Sequence, residues 1–245
     1  LALREAMSAE YGIDLRSKSD AQIAEAVMKV LLPFKVVCPY IPPGTRFTYR
    51  PPEWLQFQSL DLLQQLARME FVINDKGSVS PPFAATFIDW GDDQIRMDPH
   101  GMWVKRPQGW ITRQVRIGRT SYAVGIGGLH SMESKVCQVA DADYELTDHD
   151  VRAYYPSLIL ATGIYPQQIG VDFIRIYREW YMRRNAPGGA KDRSEDASLS
   201  KAERVAAKKE SNSLKTLLNA VFGHLGNMWS IFYAPSEMIQ VTVGG

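Results

Sequence analysis

A chain of 245 residues, 45% of them hydrophobic, carries enough apolar mass for one large domain or two small ones and is not a disordered protein. Its 28 basic and 27 acidic residues leave a formal charge of +1, so whole-molecule electrostatics announces no nucleic-acid partner and any cationic site has to be local. Cys38 and Cys137 lie far apart without a zinc spacing, and no stretch is long and apolar enough to span a bilayer; a reduced, cytoplasmic protein with no membrane partner is expected. The first residues lack the basic-then-apolar layout of a signal peptide. The chain opens on Leu1 and stops at Val243-Gly244-Gly245 directly after an apolar run, which reads as a piece of a longer chain.

Between Ser19 and Leu32, the residues Ile23, Ala26, Val27, Val30 and Leu31 recur at helical spacing, with Asp20 near the start and Pro33 at the end. Five prolines and Gly44 from Cys38 to Pro52 predict an irregular connection. A second helix is expected over Trp54 to Met69, marked by Leu55, Leu62, Leu63 and Leu66. From Phe71 to Tyr122, short β-favouring runs such as Phe83 to Trp90, Gly101 to Val104 and Trp110 to Ile117 predict a mostly antiparallel region. Ile117-Gly118-Arg119-Thr120 reads as a hairpin turn feeding a strand over Ser121 to Val124. The glycine cluster Gly125 to His130 lacks the Lys-Ser/Thr of a P-loop and the spacing of a dinucleotide fingerprint. It reads either as a bulge or tight turn, or as a bare backbone surface at Gly127 and Gly128 against which a nucleic-acid strand can lie. From Ala142 the order is strand, turn, helix: Tyr144 to Val151 extended, then Tyr154-Tyr155-Pro156-Ser157 and the apolar Leu158-Ile159-Leu160. Two helices follow, about Val171 to Arg184 and Lys201 to Phe222, as an antiparallel hairpin.

Two constellations carry chemistry. Asp150, at the expected strand end, projects a carboxylate where the chain breaks to a turn, which suits a magnesium ion held by one or two carboxylates plus substrate phosphates. Asp148 falls on the same face by strand alternation. The bland reading is a solvated strand-end carboxylate. On the last helix, Lys201, Arg204, Lys208, Lys215 and Asn219 fall within a stripe about 60° wide at about 100° per residue. Leu199, Ala206, Leu214, Leu217 and Val221 occupy the opposite side. Ser200-Lys201-Ala202-Glu203 fits a capping box. A solvated face is the usual meaning of such a charge run. Against that, Glu203 and Glu210 point away from the stripe, which ends in Asn219, Phe222 and Gly223, a surface suited to a triphosphate and a base pair. Arg175, Arg178, Arg183 and Arg184 on the preceding helix are expected to complete a cationic channel.

Asp150 to Ile159 resembles motif A of family B DNA polymerases, in which an aspartate precedes a Ser-Leu-Tyr-Pro-Ser-type segment. Lys215-Thr-Leu-Leu-Asn219-Ala-Val-Phe222-Gly223 resembles motif B, Lys-x-x-x-Asn-Ser-x-Tyr-Gly. Gly125 to Ser131 is similar to the glycine-containing template-contact segment that precedes motif A in phage polymerases. The resemblance covers the second half of the chain. It implies an α+β fold, an incomplete right hand with a partial palm of antiparallel sheet plus helices and a two-helix antiparallel fingers hairpin. On this reading residues 1–120 precede the palm, 121–166 are its first part, 167–223 are the fingers, and 224–245 begin the return to the palm.

The implied activity is template-directed DNA synthesis in the full-length parent, with this fragment inactive alone because the segment bearing the second metal-binding aspartate should follow Gly245. Asp150 would hold both Mg²⁺ ions, with the Val151 carbonyl as a further ligand. Tyr155 would sit beneath the incoming sugar and select deoxynucleotides; Arg184, Lys215 and Asn219 would bind the nucleotide. Gly127, Gly128, Phe222 and Gly223 would contact DNA. Implied partners are primer-template DNA, dNTP and replication accessory proteins, in the cytoplasm of an infected host cell if the chain is phage-encoded. The sequence departs from the motifs at Ala153, Ala220 and Phe222, which keep shape better than hydrogen bonding. The alternatives are a non-catalytic nucleic-acid-binding module and a hydrolase that uses the aspartates between Asp141 and Asp150 on another phosphate substrate.

Overall fold

The computed structural model describes residues 2–67, 69–80, 95–97, 103–105, 111–118, 120–125 and 128–245. In chain order the elements are α1 (Ala2–Tyr11), α2 (Asp20–Leu31), β1 (Arg46–Thr48), α3 (Leu60–Ala67), β2 (Glu70–Ile73), β3 (Val79–Ser80), β4 (Ile95–Met97) and β5 (Trp103–Lys105). They continue with β6 (Ile111–Ile117), β7 (Thr120–Gly125), β8 (Gly128–Ser131), α4 (Tyr154–Thr162), α5 (Val171–Asn185), α6 (Ala190–Glu195), α7 (Lys201–His224) and α8 (Pro235–Gly244). The chain is thus of mixed α+β type. It separates into two compact units, Leu1–Ile41 with Ala153–Met238, and Pro42–Arg152 with Ile239–Gly245. Among the described residues, no helix is long and apolar enough to cross a membrane.

The first unit is helical, and its axis is the antiparallel pair α5 and α7. Phe173, Tyr177 and Trp180 recur at i, i+4 and i+7 on α5, so all three fall on one face and are buried, as are Leu214, Leu217, Leu218 and Val221 on α7. The rings of Phe173 and Tyr177 stack at 5.3 Å, and Phe232 meets Phe173 edge-on at 6.3 Å. The Tyr177 hydroxyl, fully buried, donates to the Leu218 carbonyl at 3.0 Å, so the ring gains burial without orphaning its polar tip. Burial pushes that hydroxyl's pKa well above the usual tyrosine value. Arg184 Nε donates to the Ser211 carbonyl at 3.1 Å. Contacts 177 to 218 and 184 to 211 run in opposite chain directions, which makes the pair antiparallel as the sequence predicts.

The capping box expected at the start of α7 is present, and α2 starts on one that the sequence reading did not identify. Ser200 Oγ accepts from the Glu203 amide at 3.3 Å while the Glu203 carboxylate accepts from the Ser200 amide at 2.9 Å, and Ser19 with Gln22 repeats the arrangement at α2. The buried face of α2 differs from expectation. Ile23, Ala24, Val27 and Met28 are buried and α2 packs along α7, whereas Val30 and Leu31 are exposed. The helix expected over Trp54 to Met69 begins only at Leu60, because Ser59 Oγ accepts the Leu62 amide and Leu55 closes a turn on the Pro52 carbonyl. Neither α1 nor the single-turn α6 is marked by periodicity strong enough to read.

The second unit holds antiparallel sheets in the orders β1-β2-β3, β4-β5 and β6-β7-β8. Leu62, Leu66, Met69, Phe71 and Ile73 are buried, as are Val115, Ala123, Val124 and Met132. The expected hairpin is present: Ile117 pairs with Thr120, and Gly118 takes a left-handed φ of 62°. The predicted run Phe83 to Trp90 lies outside the described residues. The strand expected over Tyr144 to Val151 is absent. Asp141 Oδ1 instead accepts the amides of Asp143 and Tyr144 in a local turn, and 135–152 is exposed with no partner strand among the described residues. The alternation argument that put Asp148 and Asp150 on one face therefore falls.

Gly128 has φ of 95°, and a Cβ built on it would lie 2.6 Å from the Thr242 carbonyl oxygen. Gly128→Ala is therefore expected to lower unfolding free energy by more than about 1 kcal/mol, since the left-handed backbone alone costs a side-chain-bearing residue about 1–2 kcal/mol. Urea unfolding checks this, and an unchanged midpoint would mean that the contact relaxes freely. In the first unit, Tyr177→Phe should cost about 1 kcal/mol through the lost hydrogen bond to the Leu218 carbonyl and Trp180→Ala about 3–5 kcal/mol, read by the same titration.

Candidate functional site

α7 is held by α5, α6 and α2, and the side they leave uncovered is presented to water. Lys201, Lys208, Lys215 and Asn219 are all exposed, and Arg204 is half-buried. The packing face is close to the expected one, except that Ala207 rather than Ala206 is buried. Glu210 turns inward, as expected: its carboxylate takes Arg183 at 3.1 Å and Arg193 of α6 at 2.7 Å. Glu203 caps the helix start, and the hydrogen bonds from Ser200 hold its carboxyl below the usual carboxylate range.

The cationic channel expected from α5 does not form as such. Arg183 is shared between Glu10 and Glu210, and Arg175 pairs with Asp172 at 2.9 Å on its own helix. Arg184 is half-buried, donating to the Ser211 carbonyl and, at 2.7 Å, to Asn185 Oδ1. The physical reason is that the α5 positions facing α7 meet carboxylates and helix carbonyls there, so their guanidinium groups tie the hairpin together. Arg178 remains exposed.

Ala153 to Ile159, the part of the motif A-like segment that belongs to the first unit, meets the segment resembling motif B there. Tyr155, in the first turn of α4, lies against Phe222, in the last turn of α7, with ring centroids 4.0 Å apart and planes only 8° off parallel. Tyr154 adjoins Tyr155 at 5.5 Å. Ser157 Oγ and Tyr181 Oη are 3.1 Å apart, a hydrogen bond that ties the start of α4 to α5. Ala153 precedes α4 in a left-handed conformation, φ 52° and ψ 56°, uncommon for a residue with a Cβ and typical of constrained sites. Sequence reading missed Tyr181, and it missed Asn212, an exposed amide between Lys208 and Lys215. Helical spacing alone would have found Asn212.

Asp150 and Val151 belong to the second unit, where both are exposed. Among the described residues no three histidine, cysteine, aspartate or glutamate side chains converge as a metal cluster. The donors these residues carry, a carboxylate followed by a peptide carbonyl, are hard oxygens of the kind magnesium takes when substrate phosphates complete its shell. Gly128 is buried beneath the Thr242 carbonyl, which corrects its reading as bare backbone, and Gly127 lies outside the described residues. Gly223 is exposed, with open space where a Cβ would stand.

His224, which ends α7, has a buried Nδ1 without a partner among the described residues, and burial holds its pKa below the ordinary histidine value, with the Glu25 carboxylate opposing. A depressed pKa means that the folded chain binds fewer protons here. The histidine's contribution is therefore full above about pH 6.5 and is lost as pH falls below it. The stability difference between wild type and His224→Gln is expected to shrink from pH about 7.5 to about 5.5 in urea titrations. Parallel pH profiles would contradict this.

No family model, curated protein or solved structure matches the chain.

Proposed function

We propose that the chain is part of a DNA-directed DNA polymerase, with the fingers and a partial palm of a right-hand architecture, that transfers deoxynucleotides to a primer 3′-hydroxyl. The observation that supports this most is the stack of Tyr155 on Phe222, which joins the two motif-like segments while Lys215 and Asn219 on the same helix stay open to solvent.

In this reading Lys215 binds triphosphate oxygens as a compact charge, and Asn219 and Tyr155 orient the base and sugar. Arg184, engaged with the Ser211 carbonyl and Asn185 Oδ1, has a smaller role here than the sequence assigns it. The Asp150 carboxylate and Val151 carbonyl hold Mg²⁺, which when bound makes the primer hydroxyl a better nucleophile and offsets charge on the leaving pyrophosphate. Phe222 and Gly223 offer a flat, uncrowded surface to DNA. A non-catalytic nucleic-acid-binding module is the second reading, favoured by the single metal-binding carboxylate set against an intact lysine stripe.

Primer extension by the longest natural chain that contains these residues separates the two. Asp150→Ala is expected to reduce incorporation to background while leaving primer-template binding within about 2-fold, and Lys215→Ala to raise the dNTP KM about 10-fold, equivalent to about 1.4 kcal/mol. Undiminished incorporation by Asp150→Ala would remove that residue from the chemistry. Binding of DNA with no extension in the wild type would favour the module.

A further inference from the structure

The exposed side of α7 carries more than a nucleotide site needs. Lys201, Lys208, Asn212, Lys215 and Asn219 are all exposed, and at about 100° per residue they lie within a stripe about 60° wide. At about 1.5 Å per residue the row is about 27 Å long. Every member is a hydrogen-bond donor, and none has a side-chain ion pair or hydrogen bond to another described residue. The two carboxylates of α7 itself are engaged elsewhere, Glu203 on the Ser200 amide and Glu210 on Arg183 and Arg193.

A triphosphate reaches only the end of the row near Lys215. We infer that the outer part, Lys201, Lys208 and Asn212, binds the phosphate backbone of single-stranded DNA that runs along α7 towards the Tyr155–Phe222 rings. A single strand fits better than a duplex for two reasons. The row is straight and one side chain wide, so it can track one backbone. It also leads to partly exposed stacked rings, Tyr155 being 40% exposed, and successive unpaired bases stacking on aromatic rings is the usual way a single strand is held. The choice of ligand rests on the polymerase reading; the existence of a polyanion site rests on the row alone.

The test uses the 245-residue chain and fluorescein-labelled oligothymidylate, with anisotropy titrations across a NaCl series. Each lost phosphate contact to a single strand lowers the slope of log K against log salt by about 0.7, so Lys201→Gln with Lys208→Gln should lower it by about 1.4. Lys35→Gln, an exposed lysine outside the row, should leave the slope unchanged. Binding of a fluorescent dATP analogue should stay within about 2-fold in the double variant and weaken in Lys215→Gln. An unchanged slope in the double variant, or an equal loss in Lys35→Gln, overturns the inference. So does displacement of the oligonucleotide by polyglutamate of matched charge at the same concentration, because the site would then accept any polyanion. If the slope falls as expected but the dATP analogue never binds, the backbone site stands and the polymerase reading fails.

Discussion

The grip of α5 on α7 is the constraint on which the rest depends. The Tyr177 hydroxyl on the Leu218 carbonyl, inside a layer of Phe173, Trp180, Leu214, Leu217 and Val221, fixes the rotation of α7 about its own axis. A helix so fixed must turn its remaining side to water, and that side carries Lys201, Lys208, Asn212, Lys215 and Asn219. The same contact sorts the charges. Glu210 lies on the gripped side and is drawn to Arg183 and Arg193, so the hairpin consumes carboxylates on its inside and leaves lysines outside. A chain of formal charge +1 thereby presents a locally cationic rod.

At the far end of that rod, α4 is held in two ways. The Tyr155–Phe222 stack fixes it to α7, and the Ser157–Tyr181 hydrogen bond fixes it to α5. The chain enters α4 through left-handed Ala153, and a backbone in that conformation persists only where surrounding contacts over-determine it. The three features together fix a small aromatic platform on the helix that carries Lys215 and Asn219, and under the proposed reading such a platform would receive a planar base attached to a polyphosphate with little reordering.

Much of the helical unit was legible in the sequence because capping boxes and apolar periodicity are local signals: Ser200 to Glu203 marks the start of α7, Ile23 and Val27 lie on the buried side of α2, and Leu214, Leu217 and Val221 mark the buried side of α7. The roles of the arginines on α5 were not legible. Whether Arg183 or Arg184 faces a ligand depends on Glu10, which is distant in sequence, and on a backbone carbonyl, which no side-chain pattern reveals. Nor was the exposed run around Asp150, where alternation suggested a strand and a turn on Asp141 prevailed, with no partner strand among the described residues. Gly128 looked like an open surface because a glycine's reason, here the Thr242 carbonyl, is not written beside it.

The most direct measurement of the central claim is photo-crosslinking of the chain with an azido-substituted dATP, followed by mapping of the modified peptides by mass spectrometry. The account predicts adducts confined to the start of α4 around Tyr155 and to α7 between Lys215 and Gly223, suppressed by excess unlabelled dATP. Competable adducts found elsewhere, or none at all, would contradict it.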